Sequence, residues 1–215
     1  MKISRKSLAV QEYFNKILPD AKCELNYTND YGLLISVVLS AQTTDRAVNK
    51  ATPKLFEKYP TLISLANADI VDIENCIRQI GLYRAKASHI KSICNDLINK
   101  FAGKVPDNKK DLMSLSGVGN KTANVVLCEL FSQNEFPVDT HIFRIAKRLG
   151  YTKESDDVYQ TELKLRKAFP KDKYILLHHQ FIHFGRYICH SKNPNCSECE
   201  LQSFCRYYKS KKLKD

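Results

Sequence analysis

Leu115-Ser116-Gly117-Val118-Gly119-Asn120-Lys121-Thr122-Ala123 follows a short helical run over 111–115 and opens an apolar run over 123–131. Two glycines two residues apart predict a tight turn with positive φ between two helices. They also remove side chains in front of a helix N-terminus, where backbone N–H groups point outward and the helix dipole favours an anion. A phosphate held this way positions a polyanion without reading its sequence. The same residues suit an ordinary helix–helix turn, and a bare Gly-x-Gly does not choose between the two. Lys121 falls in the first turn of the second helix. A cation there opposes the helix dipole, which eases loss of its proton and favours a nucleophilic amine. A solvated or phosphate-contacting lysine is the plainer reading.

Downstream, Asp139 lies in Pro137-Val138-Asp139-Thr140-His141, eighteen residues past Lys121. It directly precedes the stripe Ile142, Ile145, Ala146 and Leu149, which Gly150 ends. The position suits a helix N-cap. It also suits an ionised carboxylate facing a sugar, where it would stabilise an oxocarbenium-like centre. His141 reads as a core or hydrogen-bonding histidine, with a catalytic role as the weaker functional alternative.

Upstream, Ile70, Ile73, Ile77 and Ile80 recur at helical spacing behind Asp69, an N-cap residue, and ahead of Gly81, a stop. Leu82, Ile90, Ile93, Leu97 and Phe101 form the next stripe, ended by Gly103. Ser155 is placed to cap a helix that Pro170 closes. The runs 31–39 and 123–131 are apolar nearly all round, which predicts central, buried helices. No alternating strand pair and no Asn-Gly or Asp-Gly turn is present. The sequence predicts an all-α fold of about ten helices. Composition shows no linker, long-period repeat or domain boundary.

The chain has 215 residues, enough for one domain or two small intertwined ones. Thirty-four Lys and Arg against 23 Asp and Glu leave a net charge of +11. The excess is spread over both halves and is not a detached tail. A folded chain this basic is biased toward a polyanion, most commonly nucleic acid. No run reaches the roughly 20 apolar residues of a membrane span, and residues 1–16 lack an apolar signal core. The expectation is a cytoplasmic, nucleoid-associated protein with no membrane partner. Seven Gly and seven Pro are too few for a loop-rich β-sandwich.

Cys189, Cys196, Cys199 and Cys205 follow the pattern C-x6-C-x2-C-x5-C. Four thiolates can hold a tetrahedral metal or a cubane cluster. The two-residue gap lets Cys196 and Cys199 reach one centre from a tight loop, with Pro194 and Asn195 supplying turn chemistry. Cys189 ends the helical stretch 178–188. Spacing does not choose between zinc and [4Fe–4S], although closed four-thiolate zinc sites are common in small nucleic-acid modules. Disulfides are the weaker alternative. Cys23, Cys76, Cys94 and Cys128 are scattered; the last three fall in helical segments and behave as small hydrophobes.

Taken together, these residues resemble the endonuclease III family of DNA glycosylases. The matching pieces are Leu39-Ser40-Ala41-Gln42-Thr43-Thr44-Asp45, Ile80-Gly81-Leu82-Tyr83, the stretch 115–123, Val138-Asp139-Thr140-His141, Gly185-Arg186-Tyr187 and the cysteine quartet. They occur in the family's order from about residue 20 to 205. The resemblance implies a helix-hairpin-helix glycosylase fold with two helical domains. A six-helix barrel over 23–132 would contain the hairpin. Residues 1–22 with 133–215 would form the second domain, which carries a [4Fe–4S] cluster on the four cysteines. DNA and the active site would lie in the cleft between them.

The implied activity is that of a bifunctional DNA N-glycosylase and AP lyase. It would act as a monomer on double-stranded DNA with an oxidised pyrimidine or an abasic site. Lys121 would be the nucleophile and Asp139 the essential carboxylate. Gln42 and Leu82 would fill the gap left by the extruded nucleotide, recovering part of the lost stacking. Gly117, Val118 and Gly119 would hold a phosphate through their backbone, and Arg186 and Lys192 would contact phosphate beside the cysteine loop. One departure is Ser116, where the family usually has proline; serine can make a local backbone hydrogen bond instead, so the hairpin should persist. Relatives that excise adenine opposite damaged guanine lack the lysine and carry an added C-terminal domain. This chain has Lys121 and ends soon after Cys205. A non-catalytic DNA-binding module would keep the hairpin and the quartet without needing both Lys121 and Asp139.

Overall fold

Short polar side chains set where most of the helices begin. The computed structural model describes residues 3–212, which form twelve α-helices, two short 3₁₀ turns and no strand. The all-α expectation holds. In chain order the helices are α1 (Arg5–Ile17), α2 (Asp30–Leu39), α3 (Asp45–Lys58), α4 (Leu62–Asn67), α5 (Ile70–Cys76) and α6 (Tyr83–Phe101). They continue as α7 (Lys109–Ser114), α8 (Asn120–Phe131), α9 (Thr140–Arg148), α10 (Val158–Ala168), α11 (Tyr174–Tyr187) and α12 (Arg206–Lys212). Ser4, Asn29, Thr44, Thr61, Asp69, Asn108, Asp139 and Asp157 each accept a backbone N–H of the helix they precede. Each such cap contributes about 1 kcal/mol.

Three local expectations shift. The helix behind Asp69 ends at Cys76, four residues before Ile80. Ile77 and Ile80 stay buried in the following turn, so the apolar repeat outlasts the helix because burial alone sustains it. Leu82 does not join the next stripe: it precedes α6 with φ 59° and is 65% exposed. Asp157, not Ser155, caps α10, its carboxylate accepting the Gln160 N–H at 2.7 Å.

The chain divides into two compact units, Glu24–Gln133 and a second that joins the segment through Cys23 to the segment from Asn134 onward. In the first, α2 is buried from Gly32 to Leu39. It packs on α8 and α3, α7 also packs on α8, and α4 and α5 pack on α6. Leu33, Leu34, Ile35, Leu39, Leu55, Leu65, Ile90 and Leu97 are fully buried there, each contributing roughly 1.5–3 kcal/mol of transfer free energy.

In the second unit α11 packs on α1 and α9, and α9 also meets α10 and α12. Its centre is aromatic: Phe14 lies edge-on to Phe181 with centroids 4.9 Å apart, and Phe136, Phe169 and Phe184 complete the cluster. Gly185 lets α11 approach α9, since a methyl group there would lie 2.8 Å from Cβ of His141. Among the described residues no helix is long and apolar enough to cross a membrane.

Candidate active site and metal centre

The turn between α7 and α8 has the geometry its glycines predict. Leu115 and Val118 are buried and anchor it, while Gly117 and Gly119 are exposed. Gly117 has φ 76°, and a methyl group there would lie 2.5 Å from Nδ1 of His89. Backbone and space both demand glycine at that position. Gly119 differs: its φ of −92° is ordinary and nothing lies within 4 Å of where a methyl group would be. The fold makes no demand for glycine there, so its bareness leaves open the surface before α8. No side chain caps α8, and its first N–H groups face that surface. The Val118 N–H already donates to the Leu115 carbonyl at 3.2 Å. Val118 therefore shapes the turn through its backbone and core side chain, and the amides that follow Gly119 are the ones left outward. Lys121 is the second residue of α8 and is exposed. Ser116 leaves the hairpin intact.

Gln42 and Leu82 are both exposed, and both adopt the left-handed backbone, with φ 54° and 59°. For a residue with a Cβ this conformation is unfavourable by about 1–2 kcal/mol. Leu82 begins α6 without any side-chain cap. An exposed leucine held in an unfavourable conformation is not explained by packing.

In the other unit Asp139 does cap α9: Oδ1 accepts the Ile142 N–H at 2.8 Å. Pro137 and Val138 are buried, and Nδ1 of His178 lies 2.8 Å from the Pro137 carbonyl, which fixes the segment entering the cap. Asp139 itself is half-buried. His141, the second residue of α9, sits under Gly185 and 3.4 Å from the Arg144 guanidinium. Burial lowers its pKa; the Asp139 carboxylate opposes that, and Arg144 and Arg186 reinforce it. Neutral at ordinary pH, His141 suits a hydrogen-bonding role. Arg186 is half-buried at the end of α11, and Lys192 is exposed on the cysteine loop.

The four cysteines surround one cavity, walled also by Ile145, Leu149, Phe184 and Ile188. Cys189 lies two residues past the end of α11, its N–H donating to the Phe184 carbonyl at 2.7 Å. Cys196 and Cys199 come from the loop, and Cys205 follows the 3₁₀ turn Gln202–Phe204. Cys189, Cys196, Cys199 and Cys205 form no disulfide, so the disulfide alternative fails for the quartet. Among the described residues no three His, Cys, Asp or Glu side chains form a group that could hold a single metal ion. Burial pushes the Cys199 thiol up to about 11 and raises Cys205; thiols in such a wall deprotonate when a metal binds them. Arg148 on α9 grips this loop: Nη1 donates to Cys189 Sγ at 3.1 Å and to the His190 carbonyl at 2.7 Å, and Nη2 to the Ser191 carbonyl at 2.9 Å. Cys94 is a contrast, a buried thiol in α6 pushed up to about 12 with no such surroundings.

Sequence reasoning passed over Arg148, Arg144, His89, His178 and Lys86. Lys86 carried a signal: with Ile90, Ile93 and Leu97 it completes helical spacing on the buried face of α6. A charge in an apolar stripe marks a side chain with partners to find.

A helical hairpin with a bare, uncapped helix start and a Cys-lined cavity thus stand in one all-α chain, the features of a helix-hairpin-helix protein. The model of the HhH-GPD superfamily of base excision DNA repair proteins matches residues 35–171. Endonuclease III of Bacillus subtilis is 40% identical over 190 residues, covering 88% of this chain and 87% of that protein. A solved non-covalent endonuclease III–DNA complex is 43% identical and superposes with a TM-score of 0.94 over the full length of both chains. A trapped endonuclease III–DNA covalent intermediate superposes with a TM-score of 0.92 at 43% identity, covering 98% of this chain and 100% of that one. The chain belongs to the endonuclease III family of the HhH-GPD superfamily.

Proposed function

We propose that this protein is a bifunctional DNA glycosylase and AP lyase of base excision repair that removes oxidised pyrimidines from duplex DNA. The observation that carries the reading is Lys121, an exposed amine in the first turn of the uncapped helix behind the glycine turn, in a family in which a covalent protein–DNA intermediate has been trapped.

The damaged nucleotide leaves the stack, because its C1′ is out of reach inside a duplex. The deprotonated Nζ of Lys121 donates its lone pair to C1′ as the C1′–N bond breaks and its electron pair leaves with the base, which takes up a proton. Asp139 stabilises positive charge on the sugar during this step, in the manner of glycosidase carboxylates. The nitrogen then loses one of its two protons, the ring C1′–O4′ bond breaks with O4′ taking up a proton, and a protonated Schiff base forms. Loss of a 2′ proton expels the 3′ phosphate by β-elimination, which nicks the strand, and water releases the lysine. The amides after Gly119, with Arg186 and Lys192, hold phosphates, and Gln42 and Leu82 occupy the vacated stack. His141 orients groups near the sugar.

Cys189, Cys196, Cys199 and Cys205 would hold a [4Fe–4S] cluster in this reading, which would supply a structural metal–thiolate centre rather than a reacting group. Four thiols spread around a cavity suit a polynuclear group better than one ion, and the Arg148 donor on Cys189 suits a thiolate ligand. Holding the cluster, these residues would brace the loop that carries Lys192, which Arg148 already grips from α9.

Borohydride reduction on abasic duplex DNA is the test. A covalent adduct is expected from the wild type and none from Lys121→Ala. Failure of the wild type to form one overturns the catalytic reading and leaves a DNA-binding module.

A further inference from the structure

Lys86 is the only buried lysine among the described residues, 4% exposed, and the chemistry above makes no use of its amine. Its Nζ donates to the carbonyl of Leu39 at 2.9 Å, to that of Ala41 at 2.8 Å and to Oγ1 of Thr43 at 2.8 Å. These three acceptors engage all three N–H groups of an ammonium. Leu39 is the last residue of α2, so the charge sits at the negative end of that helix, where a cation is favoured. Burial lowers its pKa from the ordinary lysine value.

The placement of the three acceptors is the telling feature. Ala41 and Thr43 are the two neighbours of Gln42, so the ammonium holds the backbone and side chain on both sides of that exposed residue. At its other end Lys86 belongs to the first turn of α6, where its N–H donates to the Leu82 carbonyl at 3.0 Å. One residue therefore ties together the two segments that present exposed, left-handed, non-glycine residues at φ 54° and 59°. Ala102, Ser132 and Asn193 share that backbone region; the first two end helices, where a left-handed residue is ordinary, and asparagine adopts it readily.

We propose that Lys86 is a positioning residue for Gln42 and Leu82, whose buried ammonium fixes the Gln42 loop relative to the start of α6 so that both side chains enter the base stack together. The inference rests on the reading of Gln42 and Leu82 as residues that fill the space of the extruded nucleotide. A loop already fixed before binding loses less conformational freedom on insertion, and freeing it lowers the population of protein ready to insert.

The test places 2-aminopurine opposite a stable abasic-site analogue in a duplex, where its fluorescence reports stacking. Gln42→Ala and Leu82→Ala are expected to change the signal of the bound complex. Lys86→Met is expected to change it in the same direction as Gln42→Ala and to slow single-turnover base excision roughly tenfold. The double variant with Gln42→Ala is expected to be no worse than Gln42→Ala alone. Thr43→Val removes one of the three acceptors, leaves Lys86 in place, and is expected to produce a smaller change of the same sign with a wild-type melting temperature. Wild-type fluorescence from both Lys86→Met and Thr43→Val, or losses that add to those of Gln42→Ala, overturns the role of Lys86 while the insertion reading stands. Should Lys86→Met fail to fold, a wild-type signal from Thr43→Val overturns it alone. Unchanged fluorescence from Gln42→Ala and Leu82→Ala defeats the insertion reading itself.

Discussion

Asp139 has two separable tasks, and Asp139→Asn divides them. Its Oδ1 accepts the Ile142 N–H at 2.8 Å and so caps α9. Asparagine keeps an acceptor in the same place and equals aspartate as an N-cap. What it removes from the fold is the charge–dipole interaction, about 0.3–1 kcal/mol. In a chain of 215 residues that lowers the melting temperature by no more than about 4 °C. Asp139→Ala removes the cap as well, a further loss of about 1 kcal/mol. Catalysis should respond quite differently. Removing one preorganised electrostatic stabiliser of a transition state raises the barrier by about 2.7–4 kcal/mol, which is 10²- to 10³-fold in rate. The expected result is that Asn and Ala slow base release to a similar extent, while only Ala melts well below the wild type. Single-turnover excision at saturating enzyme gives the rate, a duplex with a non-cleavable abasic analogue gives the affinity, and thermal denaturation gives the stability. An Asn variant that excises within about threefold of the wild type, beside a crippled Ala variant, reduces Asp139 to a cap and refutes the proposed chemistry.

The two hairpin glycines should separate in the same way. Gly117→Ala meets both a positive φ and His89 Nδ1 at 2.5 Å, so it should lower stability by more than the roughly 1 kcal/mol of a left-handed alanine alone, read by denaturant titration. Gly119→Ala meets nothing within 4 Å; it should melt like the wild type yet bind duplex DNA more weakly. Anaerobically purified protein should be brown and contain iron, with Cys205→Ser losing most of both the colour and the metal. A colourless preparation with stoichiometric zinc overturns the cluster.

Much of the helical framework was legible from local chemistry. Asp69 and Asp139 were readable as caps because a short carboxylate before an apolar stripe has few better uses. Gly103 and Gly150 marked helix ends because the chain must turn left-handed there, at φ 77° and 70°. The errors came where two residues offered the same local chemistry or where burial continued past a helix. Ser155 and Asp157 are both good caps, and only the fold chose between them. The repeat through Ile77 and Ile80 kept helical spacing while the chain had already left the helix. Leu82 looked like a core residue because a hydrophobic pattern cannot report that one member faces outward, at 65% exposure. The active-site candidates were legible because each lies inside a short motif: Lys121 two residues past Gly119, Asp139 at the head of a helix, and the quartet within one loop.

The helical class, the glycine turn, the amine behind it and the four thiols could all be read from the chain before it folds, because each depends on residues close together in sequence. Tertiary structure alone decided that His89 closes over Gly117, that Arg148 grips the loop after Cys189, and that the ammonium of Lys86 reaches Leu39, Ala41 and Thr43. These pairs stand tens of residues apart. Their meeting depends on which helix faces pack together, and no local spacing encodes that.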